Sequence, residues 1–216
     1  GAVSLHLIIT SKKKMTLLFF TLALAAYFFL HSLLADERVK KAISPAFLPA
    51  RKYRIAYNLL ALALLVPIGW LFSKVEKTPL FADANFLAIP GLAFLAAGAI
   101  WIGKAMAGYD LGEFSGFSQL KNEAAPQHST LKTNGLNGLV RHPLYFGTLL
   151  MVWGWFLISP AQAVLAAAIL SSVYLFVGAK LEERKLAQQF GEAYRLYRRR
   201  VPMLVPVRFI RKQKTV

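Results

Sequence analysis

The chain has no cysteine among its 216 residues. Structural disulfides, thiolate nucleophiles and Cys-ligated metals are therefore excluded, and any chemistry must use other groups. Histidine is scarce too: His6, His31, His128 and His142 fall in separate segments without ligand spacing, so no metal site is expected. Acidic residues number 10 against 26 Lys and Arg, and charged residues make up only 17% of the chain. The formal net charge of +16 raises nucleic acid as a partner, but the basic residues collect in a 36–54 loop and after residue 180, beside apolar segments. Positive-inside placement and contact with anionic lipids explain that pattern without a nucleic-acid groove. A phosphate loop is missing as well. The Gly-rich run from Gly108 to Phe117 lacks a Lys-Ser/Thr ending and a preceding strand, and nothing resembles a Ser-His-Asp hydrolase.

Hydrophobic residues are what the chain has in excess, at 56%. Read with a window of about 19 residues, apolar segments lie near Met15–Ala35, Ile55–Phe72, Phe86–Ala107, Tyr145–Ser159 and Ala161–Ala179. The fold class is all-α: an integral membrane bundle of about five transmembrane helices, with a C-terminal helical hairpin and an amphipathic cytoplasmic tail helix. The fourth segment is short and carries Gly147 and Gly154, so the last two could form a re-entrant pair instead. Lys12, Lys13 and Lys14 ahead of the first segment suggest a signal peptide, but its length and the lack of a small-x-small cleavage site favour a retained helix. Residues 1–14, ahead of Met15, are expected to be an appended remnant or a disordered N-terminus. The organisation is then N-terminal helices over 15–107 and a catalytic region over 108–216. With the 36–54 loop cytoplasmic, the 73–85 loop and the Ser159-Pro160 turn are external. The 108–144 loop and the tail return to the cytoplasm, and only Lys12 to Lys14 conflict.

Two short polar clusters carry the chemical signal. Arg141-His142-Pro143-Leu144-Tyr145 precedes the apolar hairpin, Pro160 breaks it, and Glu182-Glu183-Arg184-Lys185 follows it. At ~1.5 Å per helical residue the chain crosses and returns, so a cationic, a titratable and two acidic side chains meet at one bundle mouth. Beyond them, Leu181 to Arg200 reads as an amphipathic helix with Leu186, Phe190, Tyr194 and Tyr197 at helical spacing, stopped by Val201-Pro202. Plainer readings stand beside these. Arg141 and His142 could mark a helix start with Pro143 at its first position. Glu182 and Glu183 could be a solvated terminus, Tyr145, Tyr194 and Tyr197 an interfacial aromatic belt, and His31 a core or interfacial histidine.

These blocks, together with Phe190-Gly191-Glu192-Ala193-Tyr194-Arg195-Leu196-Tyr197, Val201-Pro202 and Pro206, resemble the C-terminal signature of the isoprenylcysteine carboxyl methyltransferase-like superfamily, which includes phospholipid methyltransferases. Upstream, His31-Ser32-Leu33-Leu34-Ala35 and Tyr53-Arg54-Ile55-Ala56-Tyr57-Asn58 are more loosely similar to a bacterial branch of methanethiol methyltransferases and NnrU-like membrane proteins. The resemblance implies S-adenosyl-L-methionine as methyl donor, bound between hairpin and tail, and an acceptor arriving from the bilayer. Catalytic roles are expected for Arg141, Glu183 and His31. Donor contacts would come from His142, Pro143, Tyr145, Gly147, Glu182, Glu183, Tyr194 and Tyr197. Glu182 or Glu183 would hold the donor's ammonium or ribose, and aromatic faces would favour its sulfonium.

The function expected on these grounds is an S-adenosylmethionine-dependent membrane methyltransferase acting on a small or lipidic acceptor, a thiol first. Its place would be a bacterial inner membrane with the C-terminus cytoplasmic. A thiol needs deprotonation, for which His31, Asp110, Glu113 or Tyr109 could serve. The alternatives are an NADPH-dependent reductase of the sterol-reductase type and a non-catalytic NnrU-like membrane protein. Glu183→Gln and His142→Ala are expected to abolish donor binding with the detergent-solubilised fold intact. Whether the 108–144 loop closes as a lid, and the oligomeric state, are left open.

Overall fold

A computed structural model of the protein describes residues 2–47, 49–108 and 130–207. Its helices are α1 (Ala2–Leu34), α2 (Glu37–Phe47), α3 (Ala50–Lys74), α4 (Ala88–Met106), α5 (Pro143–Ile158) and α6 (Gln162–Arg200), with single 3-10 turns at Asn85–Leu87 and Gly135–Gly138. Four stretches are long and apolar enough to cross a membrane: Ser11–Leu34, Lys52–Lys74, Asn85–Met106 and Gln162–Arg200; the apolar Pro143–Ile158 is shorter. The outer faces carry bare aliphatic and aromatic side chains, with Ile89 81% and Val66 72% exposed. Helices satisfy their own backbone polar groups, so such faces are stable only against lipid. The all-α membrane bundle is the architecture expected, and α5 is the short segment among the five.

Glycine sets the closest helix contact. Gly91 and Gly98 on α4 face Gly154 and Gly147 on α5, each pair seven residues apart. A Cβ at Gly98 would stand 2.8 Å from the Gly147 carbonyl oxygen, and one at Gly154 would stand 2.9 Å from the Gly91 carbonyl oxygen. Backbones this near exploit dispersion where no hydrophobic drive exists between helices in lipid.

At one end of the bundle, Phe20, Leu24, Val75, Ala163 and Ala167 form a buried cluster. The Leu80 N–H donates to the Pro160 carbonyl (2.8 Å), and Lys13 pairs with Glu76 (2.7 Å), so Lys13, the 75–80 turn and the 159–161 turn share that end. The opposite end gathers the exits of α1, α4 and α6 and the entries of α3 and α5. The alternation inferred from charge is therefore the connectivity seen.

Three segments differ from expectation. The 36–54 loop is mostly helical, because Asp36 accepts the Arg38 N–H (2.8 Å) as a helix cap does and α2 then runs to Phe47. Residues 2–14 are helical and continuous with the first span rather than separate from it. The tail is not a separate helix from Leu181, since α6 passes from the span into it without interruption. Lys, Glu, Arg and Gln support helix there, and the first break is Gly191 (φ 54°, ψ −125°).

Candidate functional site

Pro143 opens α5 at its first turn, where a missing N–H is harmless, and His142 is the preceding cap residue with non-helical backbone (φ −123°, ψ 73°). That backbone is held from the tail: the Arg141 N–H donates to the Pro202 carbonyl (2.9 Å) and the His142 N–H to the Met203 carbonyl (3.1 Å). The tail reaches this position because Gly191 turns the last stretch of α6, bringing Tyr194 and Tyr197 beneath residues 135–143. The Tyr197 hydroxyl donates to the Asn137 carbonyl (2.6 Å) and closes the arrangement.

Arg141 is the organiser of this knot. Its Nε lies 2.6 Å and its Nη2 2.5 Å from Glu183 Oε1. Its Nη1 donates to the Arg198 carbonyl at 3.0 Å and also to the Val201 carbonyl. Both partners are sequestered, with side chains 9% and 4% exposed. A guanidinium engaged in this way ties α6 to the tail and the α5 entry. The two adjacent acids, indistinguishable by sequence, divide here: Glu183 is the buried partner of Arg141, while the 47% exposed Glu182 lines the cavity.

His142 stands between the acids, its Nδ1 3.4 Å from Glu182 and its Nε2 3.6 Å from Glu183. Burial disfavours its imidazolium, but hydrogen bonding and charge from Glu182 and Glu183 outweigh that, and its pKa is raised above the ordinary histidine value. Tyr145 stacks on the imidazole (centroids 5.3 Å, planes 9° apart), and its hydroxyl hydrogen-bonds Glu182.

Beside this group opens a cavity of about 390 Å³, within the usual range for cofactor sites. Its walls include Arg141, Pro143, Glu182, Tyr194 and Tyr197, all expected from sequence. Leu186 and Phe190, expected on the apolar face of the tail helix, line it too, with residues that sequence reasoning missed: Lys104, Lys132, Asn134 to Asn137 and Gln189. The Asn134-Gly135-Leu136-Asn137-Gly138 turn was a findable signal, since Gly135 takes a positive φ of 59°. Lys104, on the last turn of a membrane helix, carries no comparable mark. The Tyr194 hydroxyl is buried and has no hydrogen-bond partner among the described residues. A phenol in that state is completed by a ligand or water.

Two expected residues lie elsewhere. Gly147 packs on α4, where an added Cβ would stand 2.6 Å from the Ile102 side chain. His31 is enclosed by Tyr27, Tyr57 and Tyr174, with the Tyr57 hydroxyl 2.7 Å from its Nε2. Tyr109, Asp110, Glu113, His128 and the body of the 108–144 loop lie outside the described residues. Among the described residues, no three of His, Asp and Glu gather as metal ligands would.

Residues 88–193 match the family model described as phospholipid methyltransferase. The methanethiol S-methyltransferase of Pseudomonas deceptionensis is 30% identical over 183 residues, covering 82% of this chain and 67% of that one. Methanethiol S-methyltransferase 2 of Bradyrhizobium diazoefficiens is 32% identical over 194 residues, covering 85% and 70%. A methanethiol S-methyltransferase from a Pseudomonas strain is 42% identical over 85 residues, covering 38% of this chain and 31% of that one. The chain thus spans about two thirds of the length of the first two curated relatives. No solved structure matches it. With the Arg-His-Pro entry, the paired acids and the returning tail assembled at one bundle mouth, and with relatives of this identity over most of its length, the chain belongs to the phospholipid methyltransferase family of membrane methyltransferases.

Proposed function

We propose that the protein transfers the methyl group of S-adenosylmethionine to a small thiol, at the end of the bundle where α5 begins and α6 leaves the membrane. The observation that carries this reading is the cavity wall itself. It combines a carboxylate (Glu182), a lysine (Lys104), aromatic faces (Phe190, Tyr194, Tyr197) and one buried unpartnered hydroxyl (Tyr194). Those groups suit an amino acid bearing a nucleoside through a sulfonium: Glu182 for the ammonium or ribose hydroxyls, Lys104 for the carboxylate, the rings for the base and cation. When bound, such a donor supplies an electrophilic methyl. The protein's share is to orient it, to keep bulk water out, and to hold charge complementary to it. Arg141 and Glu183 act by fixing the walls. His142 sets the position of Glu182, and Tyr145, stacked on His142, holds the same carboxylate through its hydroxyl.

A thiol is favoured as acceptor because the relatives bear the name methanethiol S-methyltransferase. A small thiol also partitions into the bilayer beside the site. The basic residues on α2 and at the α6 terminus favour a cytoplasmic placement of the site, against anionic headgroups of a bacterial inner membrane. The test is headspace detection of labelled thioether from purified protein, methyl-labelled S-adenosylmethionine and methanethiol. Labelled dimethyl sulfide is the expected product; label found instead only in phospholipid amines would replace thiol by lipid.

A further inference from the structure

Tyr174, Gly178 and Glu182 are spaced by four residues and lie on one face of α6, about 6 Å apart along the axis. Glu182 belongs to the cavity described above. Tyr174 belongs to a second polar group inside the bundle. Its ring stacks on Phe28 (4.4 Å) and meets His31 edge-on (6.0 Å), and its hydroxyl hydrogen-bonds Ser32. His31 in turn is bonded to the Tyr57 hydroxyl through Nε2 (2.7 Å). His31 lies on the last turn of α1, at the end of the bundle that holds the cavity, where three tyrosines surround it and one gives it a hydroxyl partner. Between the two groups sits Gly178, where an added Cβ would meet nothing closer than the Tyr145 hydroxyl at 3.9 Å. Gly178 is only half-buried, and its neighbours Phe176 and Val177 are each 49% exposed on the lipid side. Among the described residues, side chains therefore cover the face beside Gly178 only in part.

We propose that the gap beside Gly178 is the acceptor subsite for a small neutral thiol entering from lipid, and that the Tyr57–His31 pair takes the thiol's proton. The assignment rests on the thiol methyltransferase reading and adds to it the place and the base. The S–H bond breaks as its proton passes to the Tyr57 oxygen, while the Tyr57 hydroxyl proton passes to His31 Nε2. The sulfur lone pair forms the new S–CH3 bond as the donor's sulfonium C–S bond breaks. A neutral thioether leaves to the bilayer, and the proton on His31 is returned to solvent. Tyr27, Tyr57 and Tyr174 are the titratable side chains packed round His31, and none brings a fixed negative charge that would hold the proton there.

The experiment compares two acceptors of one shape, methanethiol and methaneselenol, the second already anionic at neutral pH. Full-length His31→Gln and Tyr57→Phe proteins are each also titrated with S-adenosylhomocysteine by calorimetry. Both variants should lose about 100-fold or more in kcat/KM for methanethiol but less than about tenfold for methaneselenol, with S-adenosylhomocysteine affinity kept. Equal losses with both acceptors, or no loss with methanethiol, would overturn the assignment of the base. Gly178→Val should raise KM for both acceptors without changing the calorimetric affinity; an unchanged KM overturns the subsite. Wild-type protein that binds no S-adenosylhomocysteine would remove the methyltransferase reading and this one together. Binding with indifferent variants removes this one alone.

Discussion

Glu182 and Glu183 are adjacent, yet their environments separate their roles. Glu183 is paired with Arg141 away from solvent, so neutralising it strands a guanidinium in a low-dielectric knot. Glu183→Gln is expected to cost about 3–5 kcal/mol, seen as a lowered thermal midpoint in detergent. An affinity loss in that variant therefore mixes folding with binding, contrary to the simple expectation from sequence. Glu182→Gln, at a half-exposed cavity wall, should leave the midpoint nearly unchanged and weaken donor affinity. A Glu183→Gln midpoint equal to wild type would remove the organiser role of the pair. His142 gives the site a pH signature. Its pKa is raised because Glu182 and Glu183 overcome burial, so its stabilising charge is complete below the unfolded value near ~6.5. That contribution is lost as pH rises through the higher folded value. Thermal midpoints measured upward from pH 6 should fall more steeply in wild type than in His142→Asn; parallel slopes would contradict the charge reading. These residues were legible as a set, because a polar cluster on each side of an apolar hairpin must meet. Which acid is buried was not legible, since that depends on a tail that folds back from 198–203.

Among the elements, α6 and its break decide whether the site exists. Gly191 has φ 54° and ψ −125°, a region in which side-chain-bearing residues are strained although nothing crowds the position. Gly191→Ala should straighten the tail or strain it by roughly 1–3 kcal/mol. The Tyr197 to Asn137 bond and donor affinity would weaken, while the apolar helices stay folded. Normal donor affinity in that variant would show that the turn does not build the cavity. The α4–α5 contact is the complementary case. Gly98→Leu or Gly154→Leu would drive the backbones apart, because an added Cβ would stand 2.8 Å and 2.9 Å from the Gly147 and Gly91 carbonyl oxygens, which have no freedom to yield. Loss of folded protein in detergent is the expected outcome, and a monodisperse, stable variant would contradict it. Element existence was readable from hydropathy over each span. The helical nature of 37–47 was not, because a basic run with one capping Asp looks like loop until the cap is seen. The continuity of α6 was hidden for the opposite reason: a change from apolar to charged residues marks the edge of the bilayer, not the end of a helix.

At the scale of the whole molecule, up-and-down connectivity sorts the chain into two ends. One is stitched by Lys13, Glu76, Leu80 and Pro160; the other holds the cavity, the tail and the His31 group. This polarity followed from the charge distribution, because each apolar span must begin where the preceding one ends. The lining by Lys104 and the 130–137 segment did not follow, since it depends on how α4 packs on α5 and not on any local motif. The central claim is that this end binds a sulfonium methyl donor. The most direct measurement is calorimetric titration of the purified full chain in detergent with S-adenosylhomocysteine, with NADPH as the control ligand. Saturable binding of S-adenosylhomocysteine alone, weakened in Glu182→Gln, is the predicted result. Binding of NADPH instead, or of neither ligand by a folded sample, would contradict it.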